Sequence, residues 1–295
     1  MCGIVAASAK REVSDILLSG LKTLEYRGYD SAGIALLNEQ DELLRLRTAG
    51  KVSDLFTLFE ATPVHGQCGI AHTRWATHGV ANTPNAHPHV SRDRVALVHN
   101  GIIENHAELR AELEQVGFEF ASDTDTEVMV HLIEHLMDTG ADLFTAVQQA
   151  CTRLHGAYAI AVVSRREPGC VVGARRGSPL VLGLGFGEHF LGSDVHPLLA
   201  VTNRFIFLEE GDVVRLDTES YQIRDANGQP VERTVRESEL NADAISRGGY
   251  RHFMQKEIFE QPSAIAETLE GRVYHGVLSE DICGAGSDAL SLIHI

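Results

Sequence analysis

What most constrains the fold is a succession of short apolar runs of strand length, separated by stretches with helical periodicity. The runs fall at 4–7, 33–37, 69–72, 95–98, 157–163, 170–174, 180–184, 204–208, 213–216 and 221–224. Between the early ones, Val13, Ile16, Leu17, Gly20, Leu21 and Leu24 recur at i, i+3, i+4 spacing, as do Leu109, Leu113 and Val116. Residues 128–137 and 143–154 also read as helices. Strands in pairs alternating with pairs of helices predict mixed sheets covered by helices on their outer faces, and not a plain βαβ repeat.

The pattern changes at 233–249, which is charged and lacks a strong apolar period. A boundary is expected there, with one domain over 2–240 and a separate piece over 241–295. In that piece 250–260 reads as a helix halted by Pro262, followed by a second helical stretch to about Leu269. The segment from Ala289 to Ile295 reads as a helix end running into the opening of a buried strand with nothing left to pair it, so a further C-terminal domain is expected to be missing.

Charge narrows the partners. Against 25 Lys and Arg stand 41 Asp and Glu, a net −16 over 295 residues, which speaks against nucleic acid or an anionic membrane as partner. With 44% hydrophobic and 22% charged residues the chain is composed to fold, and no apolar run approaches the ~20 residues of a membrane helix. The N-terminus lacks the basic region of a secretory leader. The 5 cysteines form no CxxC pair and are too sparse for a disulfide scaffold, so a reducing cytoplasm fits. Cys68, Cys151 and Cys170 sit in apolar runs and Cys283 in a Gly-rich loop, where they read as small buried hydrophobes.

Cys2 differs by position. Removal of Met1, which a small second residue permits, places thiol and free α-amine on one residue. That amine titrates near ~7.7–8.0 and takes the thiol proton directly or through water, so one residue supplies nucleophile and base. Dense polar strings lie at the ends of the strand runs: Tyr26-Arg27-Gly28-Tyr29-Asp30-Ser31-Ala32-Gly33, His72-Thr73-Arg74-Trp75-Ala76-Thr77-His78-Gly79 and His99-Asn100-Gly101-Ile102-Ile103-Glu104-Asn105. A fourth, Ser122-Asp123-Thr124-Asp125-Thr126-Glu127, sits ahead of a helix. Taken singly, each has a plain reading as a Gly-rich turn, an aromatic cap, an Asn-Gly hairpin turn or a helix N-cap.

Together with Cys2-Gly3-Ile4-Val5, the strings resemble the glutaminase domain of class II glutamine amidotransferases, members of the N-terminal-nucleophile hydrolases, over roughly the first 240 residues. Within that class, 27–33, 74–79 and the segment 250–262 are similar to the glutamine–fructose-6-phosphate aminotransferase (isomerizing) family. The resemblance implies an α+β fold, the four-layer αββα sandwich, with 241–295 a linker and the start of a sugar-phosphate isomerase domain. It implies that Cys2 attacks the glutamine amide, that Asn100 and Gly101 form the oxyanion hole, and that Arg74 and Asp125 hold the α-carboxylate and α-ammonium. Thr77, His78 and His87 are implied as further glutamine-binding residues, Trp75 as a gate on the ammonia passage, and Arg27 as a neighbour of the nucleophile. Each role is chemically sensible: a guanidinium grips a carboxylate through two parallel bonds, and Gly lets backbone approach closely.

For the family the implied reaction is transfer of the amide nitrogen to fructose 6-phosphate, giving glucosamine 6-phosphate at the entry to amino-sugar and UDP-N-acetylglucosamine synthesis, in an intact enzyme that is cytoplasmic and homo-oligomeric. These 295 residues are expected to support glutamine hydrolysis at most. The rivals are an amidophosphoribosyltransferase, against which 27–33 and 250–262 argue, a non-catalytic glutamine-sensing domain that keeps Met1, and a zinc peptidase.

The last rests on His131-Leu132-Ile133-Glu134-His135, which spells H-x-x-E-H. Met129, Leu132, Ile133 and Leu136 make the apolar stripe of that helix, so His131, Glu134, His135 and Asp138 are expected on a solvated polar face, and no metal is proposed. Gly183-Leu184-Gly185-Phe186-Gly187 has the wrong spacing for a nucleotide loop and reads as a hairpin turn. No G-x-x-x-x-G-K occurs, and no cofactor is expected.

Overall fold

The computed structural model describes residues 2–76, 79–238, 250, 253–269, 273–274 and 277–278. In chain order the elements are β1 (Gly3–Ala9), α1 (Ser14–Leu24), β2 (Ser31–Leu37), β3 (Leu43–Ala49), α2 (Val52–Ala61), β4 (Cys68–Arg74), β5 (His89–Ser91), β6 (Val95–Ile103), α3 (His106–Gln115), α4 (Asp125–Asp138) and α5 (Leu143–Arg153). There follow β7 (Gly156–Ser164), β8 (Glu167–Arg176), β9 (Val181–Leu184), β10 (Glu188–Gly192), β11 (Arg204–Phe207), β12 (Val213–Leu216), β13 (Tyr221–Arg224), β14 (Pro230–Val231), β15 (Val235–Glu237) and α6 (Phe253–Leu269). The chain divides into two compact units, Met1–Ala242 and Asp243–Ile295.

The first unit is built on two sheets, β15-β11-β9-β10-β1-β4-β2-β3 and β14-β13-β12-β8-β7-β6-β5. Alternation along each strand explains the layering. On β1, Ile4 and Ala6 join Ala96, Val98, Ala159, Ala161 and Leu191 in a core between the two sheets. Val5, Ala7 and Ala9 turn the other way and pack with Leu17, Leu18 and Leu21 of α1 and with Val52 and Leu55 of α2. On the far side, Val95, Leu97, Ile160 and Val162 pack against Leu109, Val128, Leu132 and Val147 of α3, α4 and α5. Both faces of the central strands are therefore covered, which is why they read as continuous apolar runs. The result is the four-layer αββα sandwich.

Three expectations need correction. The strand pairings within both sheets are antiparallel, not mixed. The helical segments α3 to α5 leave from and return to the same end of their sheet, so β6 and β7 run in opposite directions despite the long connection. In the second unit Pro262 lies inside α6 rather than ending a helix. The missing N–H and ring clash disturb only the link to Ile258, and helix formers on both sides carry the helix across. On α4, His131 and Glu134 are buried and His135 half-buried, so of the four residues expected on a solvated face only Asp138 is exposed. Arg94 and Arg166, from the turns bounding β6 and β8, reach Glu134 Oε1 at 3.0 Å each. His131 Nδ1 meets Ser91 Oγ at 2.8 Å.

The Gly-rich segment after β9 is a hairpin turn: Gly185 N donates to Glu188 O at 2.9 Å. Cys68 and Cys170 are buried and Cys151 is half-buried, all free thiols. Cys283 and the expected terminal strand lie outside the described residues. Among the described residues no helix is long and apolar enough to cross a membrane.

Candidate active site

Cys2 precedes β1, a central strand between β10 and β4, and Gly3 pairs with Thr73. The nucleophile candidate is thereby fixed beside the end of β4, where Arg74 and Trp75 leave the sheet. A side chain at position 3 would come within 2.6 Å of Leu24 Cδ1 and 2.8 Å of Thr73 Oγ1, so a larger residue there would have to displace both side chains. From the opposing sheet the end of β6 brings Asn100 and Gly101. The first turn of α4 brings Asp125, with Thr124 as N-cap accepting from Glu127 N, a bond worth ~1 kcal/mol.

The Cys2 thiol is half-buried. Trp75 N donates to its Sγ at 3.2 Å, and the thiol reaches Trp75 O at 3.5 Å. Burial pushes the thiol above its usual range, and the bond from Trp75 N offsets only part of that. At neutral pH this sulfur is a thiol and not a thiolate, so attack requires a proton acceptor at hand.

Cys2, Arg74, Trp75, His87, His99, Gly101, Thr124, Asp125 and Thr126 enclose one cavity of about 10 Å³, the room of roughly one water. Its lining carries charge of both signs. Arg74 is buried, with Nη1 3.7 Å from Asp30 Oδ1 and donating to Val80 O at 3.5 Å. Asp125 is 4% exposed; its Oδ2 accepts from Ile103 N at 2.8 Å, and its Oδ1 lies 3.9 Å from His99 Nδ1. A fixed cation and a fixed anion thus face one small cavity that also contains the thiol. That arrangement suits the two ends of an α-amino acid head group.

Asn100 stands in β6, not in the hairpin turn that Asn-Gly signals in isolation. Its Nδ2 donates to Cys2 O at 3.4 Å and its Oδ1 accepts from His72 Nε2 at 2.9 Å. Gly101 has φ +133°, and a Cβ there would sit 2.0 Å from Ala157 O. Backbone of that shape next to the neighbouring strand admits glycine alone.

The implied glutamine-binding residue His87 is buried against this cavity and shares a hydrogen bond with Thr126 Oγ1 at 2.9 Å. Trp75 is 54% exposed, so it is not core filling. Its ring covers Gly28, where a Cβ would approach Cζ3 to 2.7 Å. Arg27 is not gathered into the cavity lining; its guanidinium pairs with Asp194, after β10. Thr77 and His78 lie outside the described residues.

Residues to which the sequence assigned no role complete the site. Asp30 accepts from Ala76 N through Oδ2, while its own N donates to Arg74 O at 2.7 Å, so it pins both sides of Trp75. Thr126 Oγ1 bridges His87 Nε2 and His99 Nδ1, at 2.9 and 3.1 Å. Both lie in the polar strings, Asp30 within 27–33 and Thr126 beside Asp125; what the string does not reveal is the pair of histidines that Thr126 joins.

Residues 72–200 match the family of the glutamine amidotransferase domain. The chain is 52% identical over 293 residues to a glutamine–fructose-6-phosphate aminotransferase (isomerizing) of Photorhabdus laumondii, covering 99% of this chain and 48% of that protein. The same-named protein of Escherichia coli K12 is 52% identical over 290 residues, covering 98% of this chain and 47% of its own length. Residues 72–200 thus fall in the glutamine amidotransferase domain family, and the chain as a whole is similar to these relatives. It spans about half the length of the curated relatives it matches. Among solved structures, glutamine phosphoribosylpyrophosphate amidotransferase from B. subtilis aligns with a TM-score of 0.66 at 25% identity, over 76% of this chain and 49% of that one. A glutamine aminotransferase class-II domain protein from Silicibacter pomeroyi shares the fold, with a TM-score of 0.52 at 18% identity over 76% of this chain and 99% of that one. The phosphoribosyl enzyme is a related fold, at half the identity of the fructose-6-phosphate relatives.

Proposed function

We propose that the sandwich hydrolyses free glutamine through a thioester on Cys2, and that in a longer protein the ammonia passes to fructose 6-phosphate. The observation that carries this reading is the convergence of one thiol, one buried cation and one buried anion on a single cavity, with Asn100 Nδ2 turned to the nucleophile residue.

Arg74 holds the α-carboxylate and Asp125 the α-ammonium, which selects free glutamine over a glutamine within a peptide. His87, Thr77 and His78 complete the binding set. With Met1 removed, the Cys2 α-amine accepts the thiol proton and sulfur adds to the amide carbon. The developing oxyanion is met by Asn100 Nδ2 and the Gly101 N–H. Collapse passes the amine's proton to the leaving nitrogen, breaks the C–N bond and leaves a γ-glutamyl thioester. Water then releases glutamate and restores the thiol.

A cavity of about 10 Å³ admits no glutamine while its wall stands as described, so entry requires the wall to yield. Trp75, the exposed member of that wall, gates the ammonia passage. Shielding ammonia from water keeps it unprotonated and nucleophilic. Arg27 fixes the segment after β10 through Asp194 and supports the site from outside its lining.

We assign residues 2–240 to the glutaminase domain and 241–295 to a linker and the start of a sugar-phosphate isomerase domain. The names of the similar Photorhabdus and Escherichia coli proteins support fructose 6-phosphate as the acceptor; an amino-sugar role leading to UDP-N-acetylglucosamine, a homo-oligomeric whole enzyme and a cytoplasmic setting are proposed from the family resemblance alone. The test is glutamate release from glutamine by the wild-type chain and by Cys2→Ala. Wild-type turnover lost in the Ala variant, with an unchanged far-UV CD spectrum, supports the reading; equal release from both overturns it.

A further inference from the structure

We infer that His72 is a positioning residue that sets which end of the Asn100 amide faces the nucleophile; the inference rests on the glutaminase reading above. An asparagine amide is nearly symmetrical in shape, and its two ends have opposite chemistry. Only the Nδ2 end stabilises an oxyanion, and a 180° rotation would aim a second oxygen at the developing negative charge. Something must therefore donate to Oδ1.

His72 does so. It lies on β4, fully buried, with Nε2 2.9 Å from Asn100 Oδ1. Because an amide oxygen only accepts, Nε2 carries the proton, and the neutral ring then leaves Nδ1 bare. Nδ1 is buried without a well-formed hydrogen bond, which suits that tautomer; the nearby His99 backbone acts on the ring in the opposite sense, but less strongly than burial. Burial holds the ring neutral, its pKa lowered to about 3. A ring with that pKa, whose one proton is engaged with Asn100, is not the base for Cys2.

The ring itself is wedged. It packs on the His87 ring at 4.3 Å between centroids, and His87 is fastened through Thr126, which also meets His99. The chain of contacts Asn100, His72, His87, Thr126 ties the oxyanion donor to the first turn of α4, which presents Asp125. Binding and chemistry are thus aligned through buried neutral imidazoles. This accounts for His72 and His99, to which neither the reaction nor the binding set assigns a role.

Two variants separate orientation from packing. His72→Gln keeps an N–H donor close to the position of Nε2; His72→Met fills similar space and donates nothing. In the 295-residue chain, His72→Met is expected to lose about 100-fold or more in kcat for glutamine hydrolysis, with KM within about twofold, as for loss of one oxyanion donor. Affinity for a glutamine analogue with an aldehyde in place of the amide, which forms a tetrahedral adduct with the thiol, should fall by a similar factor. Glutamate affinity should hold. His72→Gln should stay within about fivefold of wild type, and neither variant should shift the pH profile of kcat.

A His72→Met kcat within threefold of wild type, or a loss carried by KM, overturns the inference. So does a pH profile displaced by either variant. The wild-type protein offers an independent check, because ¹⁵N NMR of the His72 ring should show the proton on Nε2; a proton on Nδ1 overturns the inference even if His72→Met fails to fold. Wild-type chain that releases no glutamate sinks the parent reading, and this one with it. An active wild type with an indifferent His72 sinks this one alone.

Discussion

Acidification should unfold this protein through its buried histidines, at a pH where its carboxylates are still ionised. His72, His87 and His89 are 0%, 4% and 2% exposed, and all are held neutral. Burial is the main cause in each; nearby Arg74, Arg45 and Arg47 add to it, and only His89 has a carboxylate, Glu127, pulling the other way. For His72 and His89 the folded pKa falls to about 3, and for His87 it lies well below the ordinary value. In the unfolded chain all three take a proton near ~6.5. The folded pKa values are depressed, so stability is complete above ~6.5 and is lost as pH falls toward 3, at about 1.4 kcal/mol per pH unit for each ring. Three rings give roughly 4 kcal/mol per unit, and about 7 kcal/mol between pH 6.5 and 4.5, comparable with the whole stability of a typical domain at ~5–15 kcal/mol. Glu127 and Asp194, each held at about 2, stabilise the fold above the normal carboxylate range and lose that contribution only as pH falls below it, so the histidine loss between pH 6.5 and 4.5 stands apart. Urea unfolding followed by far-UV CD at intervals from pH 7.5 to 5 measures the slope directly. Uptake of about three protons on unfolding is expected, reduced by one in His89→Gln. A stability that stays flat between pH 6.5 and 5 would refute the argument that these rings are buried and neutral.

Further outcomes follow from individual positions. Gly101→Ala places a methyl group 2.0 Å from Ala157 O on a backbone with φ +133°. It should lower the melting temperature by several degrees and glutaminase kcat at least ~100-fold, checked by a thermal melt and glutamate release. Asp125→Asn should raise KM for glutamine ~10–100-fold while leaving an analogue without the α-amino group unaffected; equal effects on both would remove the ammonium role. Arg74→Lys should also raise KM about tenfold or more with kcat less affected, because a point charge does not reproduce a two-pronged grip.

The sequence discloses the parts of the fold that burial dictates. Strands covered on both faces, such as β1 and β7, are continuous apolar runs and were legible; so was the amphipathic α1. Others were not. On β3 the side chains are half-buried or exposed, β5 is three residues long, and in α2 only Val52 and Leu55 are fully buried, so none offers a strong period. The buried charged face of α4 was misread because helical periodicity counts a Glu as polar. It does not foresee Arg94 and Arg166 closing over it from other elements. At the site, Cys2, Asn100, Gly101, Arg74 and Asp125 were readable because each lies in a string of chemically coherent residues. Thr126 shares the string of Asp125, but its role was not readable, since its partners lie 39 and 27 positions away and only the fold joins them.

The account stands on the Cys2 sulfur acting beside its own freed amine. Intact-protein and peptide mass spectrometry before and after treatment with 6-diazo-5-oxonorleucine, a glutamine-shaped electrophile, tests this most directly. The prediction is a chain lacking Met1 that gains one adduct, located on Cys2, with excess glutamine slowing the labelling. An adduct on Cys68 or Cys151, or an unlabelled chain that retains Met1, would contradict it.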